Sequence, residues 1–147
     1  MAGRTASRPA RPSLVLHVPS ETAFLVVVRN LTKKMAESAG FDAATAANVA
    51  LAVDEAASNV IEHAYHGRPG RSFEVRIDDR AKEFCVEVVD GGEMVDPRTL
   101  PRVDLERYAS ERRKGGLGVH LMAKIMDSVT YRRSARKNVC CLVKQKP

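Results

Sequence analysis

Three short clusters hold residue types from which a binding or reactive site could be built. The first is Asp54-Glu55-Ala56-Ala57-Ser58-Asn59. Glu55 and Asn59 stand four apart, so on a helix they share a face, with Glu62 a further turn along and His63 beside it. A carboxylate placed there can act as a base, and the neighbouring amide oxygen can hold a hard cation. Mg2+ takes oxygen ligands and keeps several waters, so one Asn oxygen plus nucleotide phosphates would suffice. The same spacing also suits an ordinary solvated face opposite an alanine stripe. The second cluster, Val88-Val89-Asp90-Gly91-Gly92-Glu93, runs an apolar strand into an acid and two glycines. Read plainly, it is a turn. Read chemically, a carboxylate at a strand end accepts a hydrogen bond from an adenine amino group, and the glycines let a ligand approach the backbone. The third, Lys114-Gly115-Gly116-Leu117-Gly118, opens a helix after a basic stretch. It fits a hinge, or a phosphate site, because the free N–H groups and dipole of a helix N-terminus favour anions.

Other reactive arrangements find less support. His63-x-x-His66 has no evident third metal ligand. Ser58 lacks the glycine elbow of a nucleophilic serine. The third cluster is not a P-loop, having no GK[ST], nor a dinucleotide fingerprint, having no strand before it. Cys85, Cys140 and Cys141 lie in apolar, strand-like stretches without CxxC spacing, and their odd number argues against a disulfide framework. They are expected to be buried core thiols in a reducing cytoplasm.

The elements that position these clusters can be traced along the chain. Residues 1–12 carry three Arg and nothing to bury, and read as a disordered arm. Ser13–Val18 alternates as a strand. Ser20 is the expected cap of a first helix, on which Phe24, Val27, Val28, Leu31 and Met35 recur at helical spacing before Gly40. A second helix is expected from Asp42 to about Tyr65, its buried face marked by Ala46, Ala50, Val53, Ala57, Val60 and Ala64. Ser72–Ile77 and Glu83–Val89 read as a hairpin joined by Asp78–Lys82. Residues 96–114, with two Pro, six cations and four acids, have no strong period and read as a functional loop. A helix over Leu117–Asp127 and a closing hairpin, Ser128–Arg133 with Asn138–Val143, complete the order. The whole is one domain of helices on a sheet, not a βαβ array.

The chain has 147 residues, 44% hydrophobic and 29% charged, enough for one core. Its net charge of +6 is unevenly placed. Nine of the 24 basic residues lie in the two ends, which leaves 15 against 18 acidic residues in positions 12–131. With 5% aromatics and no Trp there are few platforms for stacking bases, so nucleic-acid binding is not expected. No apolar run approaches the ~20 residues of a membrane span, and no secretory h-region follows the first arginines. A cytoplasmic protein is the expectation.

Taken in order, E-x-x-x-N on a helix, D-x-G after a strand and GGLG opening a helix resemble the GHKL ATP-binding superfamily. More closely, Val53–Tyr65 (VDEAASNVIEHAY), Asp90–Pro97 (DGGEMVDP) and Gly115–Val129 (GGLGVHLMAKIMDSV) are similar to the anti-sigma-factor serine/threonine kinases of the RsbW/SpoIIAB type. The resemblance covers residues 13–145. It implies an α+β sandwich of the Bergerat type, a mostly antiparallel mixed sheet covered on one face by helices, with residues 13–147 forming a single ATP-binding domain. It implies ATP and Mg2+ as cofactors, Glu55 as general base, Asn59 as Mg2+ ligand and Asp90 as adenine partner. Gly92 would give room beside the base, and Gly115, Gly116, Leu117 and Gly118 would line the phosphates. Residues 96–114 would be an ATP lid, from which Arg112, Arg113 and Lys114 reach the phosphates. Met94 and Lys114 stand where the superfamily has glycine, a departure that the kinase branch shares. The partners implied are an anti-anti-sigma protein as phosphate acceptor, a sigma factor and a second copy of the chain. A non-catalytic, nucleotide-dependent binding module is the alternative.

Overall fold

The computed structural model describes residues 14–93 and 116–147, with the side chains of 116–119 left aside. The expected arm, the whole loop at 96–114 with Arg112, Arg113 and Lys114, and Met94 and Gly115 lie outside the described residues. Five strands form one sheet in the order β1-β2-β3-β5-β4, where β1 is Leu14–Pro19, β2 Ser72–Asp79, β3 Glu83–Asp90, β4 Ser128–Ser134 and β5 Lys137–Gln145. Every pairing is antiparallel, which narrows the expected mostly antiparallel sheet. Helices α1 (Leu25–Ser38), α2 (Ala43–Asn59) and α3 (Gly116–Ile125) pack on one face, with α2 between the other two. The strand pattern follows from that one-sided cover. Phe73, Val75 and Ile77 of β2 and Phe84, Val86 and Val88 of β3 point to the helices and are buried. The other face carries Glu74, Arg76, Glu87 and Arg132, joined by ion pairs of 2.7 to 3.8 Å.

The start of α1 differs from expectation. Ser20 does not cap it. Its backbone N–H extends the sheet edge to Arg71 O at 2.8 Å, and its buried hydroxyl has no partner among the described residues. A single 3-10 turn, Thr22–Phe24, intervenes before α1, shifting the buried stripe to Val28, Thr32 and Ala36. Phe24, Val26 and Val27 are left exposed. Thr32 is tolerated inside because its hydroxyl donates to Val28 O at 2.7 Å. Gly40 ends the helix with φ +107°, a conformation that few other residues adopt.

Helix α2 starts where the sequence indicates. Asp42 Oδ1 accepts the Thr45 N–H at 2.7 Å, and this bond holds the Asp42 carboxyl below its usual range. Seven small side chains of α2 are buried, Ala46, Val49, Ala50, Ala52, Val53, Ala56 and Ala57, so the helix can lie close to the sheet and to both neighbours. Two contacts set its direction. Phe41, just before it, meets Phe84 at the start of β3 edge-to-face, with ring centres 6.0 Å apart. Beyond its far end, Ala64 touches Gly92 at the exit of β3. Helix α2 therefore runs along β3 toward the strand's C-terminal end.

Candidate functional site: the exit of β3 against the end of α2

Asp90 is the last residue of β3 and is buried, 6% exposed. Its Oδ1 accepts two hydrogen bonds of 2.9 Å, from the Gly92 N–H and from Asn138 Nδ2. Burial pushes the carboxyl above its usual range. The two hydrogen bonds and the nearby Lys137 and Arg133 oppose that push. Because both donors converge on Oδ1, the carboxylate is held in one orientation. Asn138 Nδ2 also reaches the Gly92 carbonyl at 3.0 Å, so one side chain ties down the acid and the turn that follows. Sequence reasoning missed Asn138. It lies 46 residues beyond Gly92 with no motif around it, and only the register Asp90↔Asn138 between β3 and β5 brings it to the site.

Gly92 has a packing reason of its own. A Cβ there would meet the carbonyl carbon of Ala64 at 2.7 Å and the Ala64 Cβ at 2.9 Å. The glycine lets the strand exit lie directly on the end of α2, where the Glu93 N–H then bonds Ala64 O at 3.0 Å. That end is widened. Val60–Ala64 forms a π turn, closed by the Tyr65 N–H on Val60 O at 3.0 Å. Tyr65 fastens the junction from below: its hydroxyl donates to Ser72 O at 2.7 Å and accepts the Gly91 N–H at 3.0 Å. The docking brings the Asp90 cluster against the π turn that begins just after Asn59.

On α2, Glu55 and Asn59 lie one turn apart and both are half-buried, among the buried Ala52, Val53, Ala56 and Ala57. The buried atoms Asn59 Nδ2 and His63 Nε2 have no hydrogen-bond partner among the described residues, which leaves polar capacity unused at the end of α2. Among the described residues no group of three His, Cys, Asp or Glu side chains converges as a metal site. The third cluster approaches from α3. A cleft of about 400 Å³ between Thr45 and Asn48 of α2 and Leu121, Lys124 and Ile125 of α3 sets the first half of α2 beside the second half of α3. Lys144 Nζ on Ile125 O, at 2.8 Å, fixes the end of α3 at the C-terminal end of β5, which pairs with the start of β3. The two helices thus run in opposite senses, and the backbone of Gly116, Leu117 and Gly118 opens α3 on the side of Glu55, Asn59 and Asp90. A separate cleft of about 250 Å³, lined by Tyr65, Arg68, Arg71 and Gly92 among others, lies beside the β3 exit and includes none of those three side chains.

A one-sided antiparallel sandwich with an oriented carboxylate at a strand exit and a glycine-opened helix on the same side defines the class as an α+β sandwich with its candidate site at one end of the sheet. Comparison with known proteins agrees. Residues 18–144 match the histidine kinase-like ATPase domain, and the chain belongs to that family. Serine-protein kinase RsbW of Halalkalibacterium halodurans is 29% identical over 129 residues, covering 84% of this chain and 77% of that protein. Serine-protein kinase RsbW of Bacillus pumilus is 27% identical over 121 residues, covering 78% and 74%. The solved SiaB-SiaC complex from Pseudomonas aeruginosa contains a chain of the same fold, with TM-score 0.62 and 15% identity, covering 92% of this chain and 90% of that one. Membership of an ATPase-type family implies ATP as the ligand.

Proposed function

We propose that this chain is an ATP-dependent protein serine/threonine kinase that acts as an anti-sigma factor. It phosphorylates a small anti-anti-sigma protein and, when that protein is disabled, holds a sigma factor. The observation that carries the reading is the docking of the Asp90 exit on the end of α2, which brings the second cluster to the element that bears the first. The serine-protein kinase relatives, similar over most of the chain, support it. Asp90 accepts the adenine amino group, Gly116 and Gly118 offer backbone to the phosphates, and residues 96–114 serve as the lid with Arg112, Arg113 and Lys114. Glu55 takes the proton from a serine or threonine hydroxyl as its oxygen attacks the γ-phosphate. The Asn59 amide oxygen, on a side chain whose nitrogen has no partner among the described residues, fits a hard cation. Mg2+ bound there would neutralise phosphate charge.

The test separates binding from transfer. Asn59→Ala abolishes the tightening of ATP by Mg2+ in calorimetry. Glu55→Gln keeps ATP affinity and lowers label transfer from γ-labelled ATP to a co-purified acceptor by ~10²–10⁴. Wild-type transfer by Glu55→Gln removes Glu55 from the chemistry. Binding without transfer by the wild type favours the non-catalytic module.

The proposal includes a homodimer formed through β1. That strand is an edge of the sheet, and two copies of an edge can pair antiparallel about a twofold axis. Helix-facing Leu14 and Leu16 are only half-buried at this edge, and Phe24, Val26 and Val27 stand exposed on the adjacent helical layer.

A further inference from the structure

The three cysteines are not equivalent core residues. Cys140 and Cys141 are adjacent in β5 and therefore point to opposite faces of the sheet. Cys140 faces the helices, opposite Val88, and burial pushes its thiol up to about 12. Cys141 faces the other way, opposite Glu87, and lies diagonally across from Cys85, whose own partner in the register is Val143. The two sulfurs, 56 residues apart in sequence, are 3.5 Å apart. Cys85 is 2% exposed, whereas Cys141 is only half-buried, so Cys141 is the residue of the pair nearer to solvent.

We propose that Cys85 and Cys141 form a peroxide-reactive dithiol, in which Cys141 is oxidised and Cys85 resolves it into a disulfide joining β3 to β5. The inference stands apart from the kinase reading. The electrostatics divide the labour between the sulfurs. The two thiols share one hydrogen bond, and the half-buried Cys141 is the better placed to accept it, which together with Arg80 and Arg132 holds it below the usual thiol range, burial and Glu87 opposing. Glu87 is itself held by Arg132 at 3.2 Å and Arg76 at 3.8 Å, which tempers its opposition. The same bond and burial raise Cys85, which keeps its proton.

The reaction balances with a hydroperoxide as oxidant. The Cys141 thiolate attacks one oxygen of hydrogen peroxide, the O–O bond breaks, and the departing oxygen takes up a proton as water. Cys141 is then a sulfenic acid. Cys85 sulfur attacks the Cys141 sulfur, the S–O bond breaks, and hydroxide leaves with the Cys85 proton as a second water. Two thiols have lost two electrons and one peroxide has gained them. Closing 3.5 Å to a bonded ~2.05 Å requires movement of about 1.5 Å. Because the residues are diagonal rather than opposite, the bond draws the strands from their resting register and is readily reduced by thiols.

The test uses the full chain treated with one equivalent of hydrogen peroxide. The expected product is lighter by two hydrogens, carries a Cys85–Cys141 link in non-reduced peptide maps, and is restored by dithiothreitol. Cys140→Ser retains the link, which assigns it to Cys141 despite the adjacent thiol. Cys85→Ala, checked for folding by circular dichroism, accumulates a dimedone-reactive sulfenic acid at Cys141 that the wild type does not. A link to Cys140, equal dimedone labelling of wild type and Cys85→Ala, or no oxidation where free glutathione is consumed would overturn the proposal.

Discussion

Asp90 sets burial against charge, and the outcome is measurable. A carboxyl whose folded pKa is raised binds its proton more tightly folded than unfolded. Ionised Asp90 therefore costs stability at neutral pH, a cost that disappears as pH falls through the folded pKa. Asp90→Asn keeps an oxygen for the Gly92 N–H and Asn138 Nδ2 while removing the charge. Its thermal midpoint should be equal to or above wild type. Its affinity for ADP should fall ~10- to 100-fold, because an N–H donor now faces the adenine amino group. Unchanged ADP affinity by titration calorimetry would take Asp90 out of the site. Asn138→Ala removes the bond to the Gly92 carbonyl and one of the two hydrogen bonds that orient the Asp90 carboxylate. It should cost ~1–3 kcal/mol of stability and weaken ADP less than Asp90→Asn does. If Asn138 acts by orienting Asp90, it should weaken ADP little further in the Asp90→Asn background, a non-additivity that a double-mutant cycle reads directly.

Between elements, the critical contact is the strand exit on the end of α2. Gly92→Ala drives a Cβ into the backbone of Ala64 and should cost ~1–3 kcal/mol in chemical denaturation, with ADP binding weakened as the exit lifts. Gly91→Ala is the control. Its Cβ would meet nothing closer than Lys137 Nζ at 3.7 Å, so its stability should stay within ~0.5 kcal/mol of wild type. Equal behaviour of the two variants would mean that the docking does not depend on the missing side chain. The pair also separates two meanings of a glycine in a D-G-G stretch. Local chain grammar marks both as a turn, and only the neighbouring helix distinguishes the one that is packed.

For the molecule as a whole, one face of the sheet is covered by helices and the other by paired charges, so the remaining apolar exposure falls near β1 and α1. Val26 and Val27 are 45% and 49% exposed, unusual for two consecutive valines in a helix. If the edge pairs with a second copy, Val26→Glu combined with Val27→Glu should shift sedimentation toward monomer with little change in thermal midpoint, since neither side chain fills the core. A variant that sediments like wild type would exclude this face from the dimer.

The strand and helix order, the Asp42 cap and most of the alanine stripe of α2 were legible from the sequence, because each rests on local spacing, capping or turn chemistry. The start of α1 was not. Ser20 has the composition of a cap, but its N–H is taken by Arg71, and the intervening 3-10 turn rotates Phe24 and Val27 out to solvent. Nor could the sequence distinguish Cys140 from Cys141, or find Asn138 as the group that orients Asp90. Both depend on which residues of β3 and β5 stand opposite one another. Register is decided by the packing of two whole strands against a shared layer of helices, and a slip of one residue would exchange every inward and outward side chain. Residue types and spacings thus carried the chemistry available to this protein, while the β3–β5 register and the seat of Gly92 on Ala64 decided which of those residues meet.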